Sequence, residues 1–287
     1  MAGAALTDEV DAAALQRSVR RLVQAPQAPW LHAEAGRRMA ERLPVVRRTP
    51  QTVLDWWSHI GGSRALLAQA YPDARLIAVE PASGLAAAAT RAASAPRRFW
   101  QRARAGDAPI GEQAVPDGAA QLLWANMMLH LASDPLGLLQ RWHAALMVDG
   151  FLMFSTLGPG SLVGLDRLYA RLGWPPPHAP LVDMHDLGDA LVGAGFADPV
   201  MDQETLTLSW ASPAALLAEL RTLGGNAART RLPGLRTPRW RARLLHELHA
   251  LAAADGRPRL EFELVYGHAF KVAPRAPRSR SVRRRNP

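Results

Sequence analysis

Residues 53–80 read VLDWWSHIGGSRALLAQAYPDARLIAVE, and the fold turns on this stretch. A short apolar run, 53–55, ends on Asp55. A loop carrying Gly61 and Gly62 follows, then a helix over 62–71 and a second apolar run, 75–80, that ends on Glu80. Strand, glycine-bearing loop, helix and acid-ended strand make the unit that holds nucleotide-type cofactors in α/β domains. Glycines in such a loop let backbone N–H groups approach a ligand closely. An acid ending the second strand can accept both hydroxyl protons of a ribose. One departure is local: Trp56, Trp57, Ser58, His59 and Ile60 stand where glycines are expected.

Working outward, helices are expected over 8–24 and 32–43, with Pro26 and Pro29 breaking between them. After the Pro72-Asp73 turn and the second strand come a helix over 82–94 and a third strand over 98–104. A strand over 120–125, a helix over 134–145 and a strand over 150–156 follow, the last after an Asp149-Gly150 turn. Strands alternating with helices at this spacing predict a parallel sheet wrapped on both faces. Further helices are expected over 161–172, 186–194, 213–223 and 239–254, and strands over 202–209 and 260–271. The organisation is thus N-terminal helices (1–49), an α/β domain (50–272) with lid and substrate elements within 158–256, and an Arg-rich tail (273–287).

The chain has 287 residues, 48% hydrophobic and 21% charged, ordinary values for a globular protein. No apolar run reaches membrane-span length, and the N-terminus lacks a basic segment ahead of an apolar core. The expected location is therefore the cytoplasm. With no cysteine, disulfides, thiol catalysis and Cys-ligated zinc are excluded. Of the net charge of +9, six arginines of the tail account for all but +3. An Arg/Ser/Pro tail cannot bury enough apolar surface to order itself. The remainder carries no nucleic-acid-binding pattern, so a nucleic-acid partner is not expected.

Val53 to Glu80, then Asp107, then LLWANMMLHLASDP (122–135) and DGFLMFSTLGPGSL (149–162) together resemble a class I S-adenosylmethionine-dependent methyltransferase. GFADPVMDQETLTLSW (195–210), LLAELRTLGGNAARTR (216–231) and LEFELVYGHAFK (260–271) are more specific. They resemble the malonyl-[acyl-carrier-protein] O-methyltransferases of biotin synthesis. The resemblance covers about residues 50–271 and implies a Rossmann-like, seven-stranded, mostly parallel sheet with flanking helices and a C-terminal helical lid.

It also implies roles. Asp55 would order the loop and lie near the methionine amino group of S-adenosylmethionine, and Gly61 matches the last loop glycine, with Gly62 beside it. Glu80 would take the ribose hydroxyls, and Asp107 the adenine amino group. Asn126, with the backbone of Ala125, would lie beside the methionyl portion, and His130 one turn on would face the same pocket. The implied partner is acyl carrier protein bearing a malonyl thioester.

Methylating a carboxylate needs no strong base, because the nucleophile is already ionised at neutral pH. The protein has mainly to align it and exclude water. Arg221 and Arg229 are candidates to orient the substrate carboxylate through a two-pronged contact. Trp56 and Trp57 read as packing aromatics, on opposite faces because neighbours on a strand alternate. His246 and His249 share a helix face but lack a third ligand, so no metal is expected. Trp57 and His59 at glycine positions, and the lack of a tyrosine before Tyr71, leave an alternative: a non-catalytic methyltransferase-like binding or assembly factor.

Overall fold

The computed structural model describes residues 9–94, 108–250, 252 and 255–273. The third strand expected over 98–104, Asp107 and the tail from residue 274 onward lie outside the described residues. In chain order the elements are α1 (Ala12–Gln24), α2 (Trp30–Ala40), β1 (Thr52–Trp56), a helical turn α3 (Ser58–Gly61), α4 (Arg64–Ala70), β2 (Arg75–Glu80) and α5 (Leu85–Ser94). Then come β3 (Ile110–Gly111), β4 (Ala120–Ala125), α6 (Pro135–Ala145), β5 (Leu146–Leu157), α7 (Val163–Arg171) and α8 (Met184–Gly193). The chain continues through β6 (Ala197–Ser209), α9 (Pro213–Thr222), α10 (Pro238–His249) and β7 (Arg259–Phe270).

All seven strands form one sheet in the order β3-β2-β1-β4-β5-β7-β6. The β1–β2, β1–β4, β2–β3 and β4–β5 pairs are parallel, and β7 runs antiparallel to both β5 and β6. This is the mostly parallel sheet that the alternation of elements predicts. Chain order reverses between β1 and β4, which opens a crevice at the carboxyl ends of these strands.

Side-chain alternation sorts the core into two layers. Leu54 and Trp56 of β1, Leu123 and Ala125 of β4, and Leu152 and Phe154 of β5 pack with α1, α6 and α8. Val53, Leu122, Trp124, Phe151 and Met153 pack on the opposite face with α2, α4, α7, α9 and α10. Helix starts follow local chemistry: Asp11, Asp134, Asp183, Ser212 and Thr237 each accept a backbone N–H of the first turn. Pro135, Pro213 and Pro238 sit at first helical positions, where no N–H is needed.

Strands β5 and β6 begin four and five residues earlier than the sequence suggests. The Asp149-Gly150 signal is not a turn before β5. Asp149 adopts φ 65° inside the strand, and the β4–β5 register slips between Ala120 and Leu122. Asp198, at φ 49°, does the same in β6, where pairing slips between Ala197 and Val200. An extra residue in a strand imitates a turn in sequence because both need the left-handed backbone that Asp tolerates.

Candidate functional site

The loop from Trp57 to Gly62 sits at the crevice, and side chains from β1, β2, α2 and the turn after β4 pin it. From β1, Asp55 Oδ2 accepts the Ser58 hydroxyl. From β2, Glu80 Oε1 accepts the His59 N–H at 3.0 Å. His32 of α2 contacts the Ile60 carbonyl through Nδ1 at 2.9 Å. Asn126, just after β4, donates from Nδ2 to the Gly61 carbonyl at 2.6 Å and to the His32 carbonyl at 2.7 Å.

Asp55 and Glu80 are 1% and 2% exposed, yet Asp55 Oδ1 and Glu80 Oε2 have no hydrogen-bond partner among the described residues. Burial pushes the Asp55 carboxyl up to about 6. Burial, with the Asp55 charge adding to it, pushes Glu80 up to about 7 against the His59 N–H. Two buried acceptors without donors beside one loop are suited to a ligand that supplies hydroxyls or an ammonium group.

The raised Glu80 value has a stability consequence with a definite sign. A carboxyl whose folded pKa is raised costs stability as pH climbs from its unfolded value through its folded one. Glu80→Gln removes that cost. The variant should gain about 2 kcal/mol of stability relative to the parent on going from pH 5 to pH 8, by urea unfolding without ligand. The comparison with the parent reports Glu80 together with its coupling to Asp55. Buried His32 and partly buried His130, pushed down to about 4 and about 3, titrate in the opposite sense and cancel in the difference. A variant whose advantage does not change with pH would refute an ionised, buried Glu80.

The glycines act differently from the sequence expectation. A Cβ on Gly61 would meet the Asn126 carbonyl at 3.2 Å, and one on Gly62, at φ +67°, would meet Ala28 Cβ at 2.6 Å. The space they provide is filled by the protein itself. Asn126 is likewise fully buried, with both amide protons spent on carbonyls and Oδ1 accepting the Ser155 hydroxyl at 2.6 Å. Ala125 is buried beside it.

Trp56 and Trp57 do not face opposite ways. Trp57 leaves the strand at φ 53°, a conformation costly for a bulky residue. Both indoles therefore reach one acceptor: Glu112 Oε1 takes Trp56 Nε1 at 3.1 Å and Trp57 Nε1 at 2.9 Å. Both rings are buried in the α1/α6 layer, so the packing role expected for them holds. Glu112 follows β3 directly, and Arg141 of α6 holds its carbonyl at 2.8 Å. Sequence reasoning missed Glu112; the available signal was an acid beyond a short Pro-Ile-Gly run.

A chamber of about 880 Å³ opens beside this loop. Trp56, Trp57, Glu112 and residues 81–83 form its floor, α1 its outer wall through Leu15, Val19 and Arg20, and residues 131–141 its far side. A second, smaller cavity adjoins it, lined by His130, Thr156 and residues 179–182. Within the stretch expected to supply lid and substrate wall, residues 179–187 contribute, while α9 and α10 line neither cavity. Arg221, on α9, and Arg229, whose N–H bonds the Glu9 carbonyl at 2.8 Å, also line neither. Among the described residues no His/Asp/Glu group could hold a metal, and no helix is long and apolar enough to cross a membrane.

The chain is 35% identical over 255 residues to the malonyl-[acyl-carrier protein] O-methyltransferase of Laribacter hongkongensis, covering 87% of this chain and 85% of the relative. It is 34% identical over 277 residues to the protein of that name from Gallionella capsiferriformans, covering 94% of each. The solved YcgJ protein of Bacillus subtilis overlays with a TM-score of 0.54 at 11% identity, over 85% of this chain and all of that one, a likeness of fold alone. No family model matches the chain.

Proposed function

The chain belongs to the malonyl-[acyl-carrier protein] O-methyltransferase family, and from that membership we propose that it methyl-esterifies the free carboxylate of a malonyl thioester on acyl carrier protein, as a step of biotin synthesis. The observation that carries the reading is the pair of donorless carboxylate oxygens, on Asp55 and Glu80, which bracket the loop whose Trp57 lines a large chamber, though neither acid lines the chamber itself. Those oxygens fit S-adenosylmethionine, the methyl donor, which brings an activated methyl on a sulfonium sulfur. Glu80 would accept the ribose hydroxyls, and Asp55 would take the methionine ammonium. Asp107 takes the adenine amino group. Gly61, Gly62, Ala125 and Asn126 shape the loop around these acids.

The residues' work is alignment and exclusion of water. When bound, the cofactor would give its methyl carbon to the carboxylate oxygen, the S–C electron pair remaining on sulfur. No proton is released, so the reaction calls on no general base. His130, partly buried and held far below the ordinary histidine value, is unsuited to that role. The neutral ester removes a charge that an apolar acyl-elongation site would otherwise bury at high cost. The reading carries a cytoplasmic location with it. The names of the relatives as enzymes weigh against the non-catalytic alternative.

Calorimetry with S-adenosylhomocysteine tests cofactor binding, and mass spectrometry of malonyl-acyl carrier protein incubated with S-adenosylmethionine tests the reaction. The expected results are saturable binding and the gain of one methyl group. Absence of binding at millimolar ligand would overturn the enzymatic reading.

A further inference from the structure

The second cavity differs in chemistry from the chamber beside it. The two share Leu15, Ala132 and Ser133, so they lie side by side between the α1 wall and the end of β5. The chamber is lined by Arg20, Glu112, Asp134 and Arg141. The second cavity, about 50 Å³, has no charged lining residue. Its walls are apolar, from Leu129 and Leu187 to residues 179–182. Its polar side chains are Ser133 on the shared rim and, deeper, His130 and Thr156, joined Nδ1 to Oγ1 at 3.2 Å.

We propose that this cavity is the acyl subsite, in which the His130–Thr156 pair donates a hydrogen bond to the free carboxylate of the malonyl group. The inference rests on the reaction proposed above and assigns its substrate end.

The pair presents one donor in either tautomer. When the Thr156 hydroxyl donates to Nδ1, the imidazole carries its proton on Nε2; when Nδ1–H donates to Oγ1, the hydroxyl proton is free. Burial, together with the neighbouring His32 ring 6.3 Å away, keeps the imidazole uncharged. A hydrogen bond from a neutral donor holds the carboxylate without an ion pair. This suits the chemistry. A guanidinium here would withdraw charge from the attacking oxygen, and once the ester formed it would be left buried without its counter-ion. An uncharged apolar pocket loses less when the product replaces the substrate.

The test is steady-state kinetics with malonyl-acyl carrier protein at saturating S-adenosylmethionine, with S-adenosylhomocysteine affinity measured alongside. His130→Ala and Thr156→Val should each lower kcat/KM about tenfold or more, for one lost hydrogen bond to a charged group. Homocysteine-cofactor affinity should stay within about twofold. His130→Gln, which keeps an N–H donor, should restore most of the loss. Unchanged kcat/KM in both variants overturns the subsite, and so does a parallel fall in S-adenosylhomocysteine affinity, which would move His130 to the cofactor end. If the parent binds S-adenosylhomocysteine but does not turn over, the reaction reading fails separately. The His130 ring resonances, assigned against His130→Gln, then decide the subsite by whether malonyl-acyl carrier protein shifts them.

Discussion

Glu80→Ala should weaken S-adenosylhomocysteine binding by about 100-fold at pH 8, measured by calorimetry, because two hydrogen bonds to a charged acceptor contribute about 1.5 kcal/mol or more each. The acceptor is prepared for them. Glu80 Oε1 is engaged by the His59 N–H, while Oε2 is buried without a donor. The ligand-free carboxyl sits at about 7, raised first by burial. Hydroxyl donors favour its ionised form, so binding releases a proton and affinity should climb as pH rises from 6 to 8. In Glu80→Ala the pH dependence between about pH 7 and pH 8 should vanish, leaving only the part at lower pH due to Asp55, raised to about 6. Unchanged affinity with an unchanged pH profile would refute the ribose role.

Asn126→Ala should cost about 3 kcal/mol of stability in urea unfolding at 25 °C. The side chain is fully buried and joins three elements. It donates to His32 of α2 and to Gly61 of the loop, and accepts from Ser155 of β5. Truncation leaves two carbonyls and a hydroxyl without their partner, in a region where Ser155 also supports the left-handed turn at Met127 through its hydroxyl at 3.1 Å. The loop carbonyls would lose their tether to β4, so S-adenosylhomocysteine affinity should fall as well. A loss under about 1 kcal/mol would mean that water or a neighbour replaces the amide readily.

The strand-end acids were legible before the fold was. Glu80 terminates β2 as its place in the sequence predicts, Asp55 is the penultimate residue of β1, one short of its end at Trp56, and the apolar run over 120–125 is β4 residue for residue. The loop between them was not legible. Its glycines read as approach points for a ligand, whereas Asn126 and Ala28 occupy the space they leave. Trp57 read as the strand partner facing away from Trp56, whereas its positive φ turns both indoles to Glu112. Arg221 and Arg229 read as carboxylate ligands, yet they lie away from both cavities, and the deeper polar groups of the smaller cavity are His130 and Thr156.

Sequence alone determined the layer order of this protein and the positions of its two buried acids. Apolar periodicity near two or near 3.6 residues, and an acid or a glycine at its end, are properties of neighbours along the chain. The tertiary structure alone decided the sign of φ at Trp57, the sealing of Asn126 under α2 and the meeting of the chamber with an uncharged cavity. Each depends on which distant group satisfies a buried donor or acceptor. Residues 94 positions apart, Asn126 and His32, settle that choice only once the sheet and the N-terminal helices have packed.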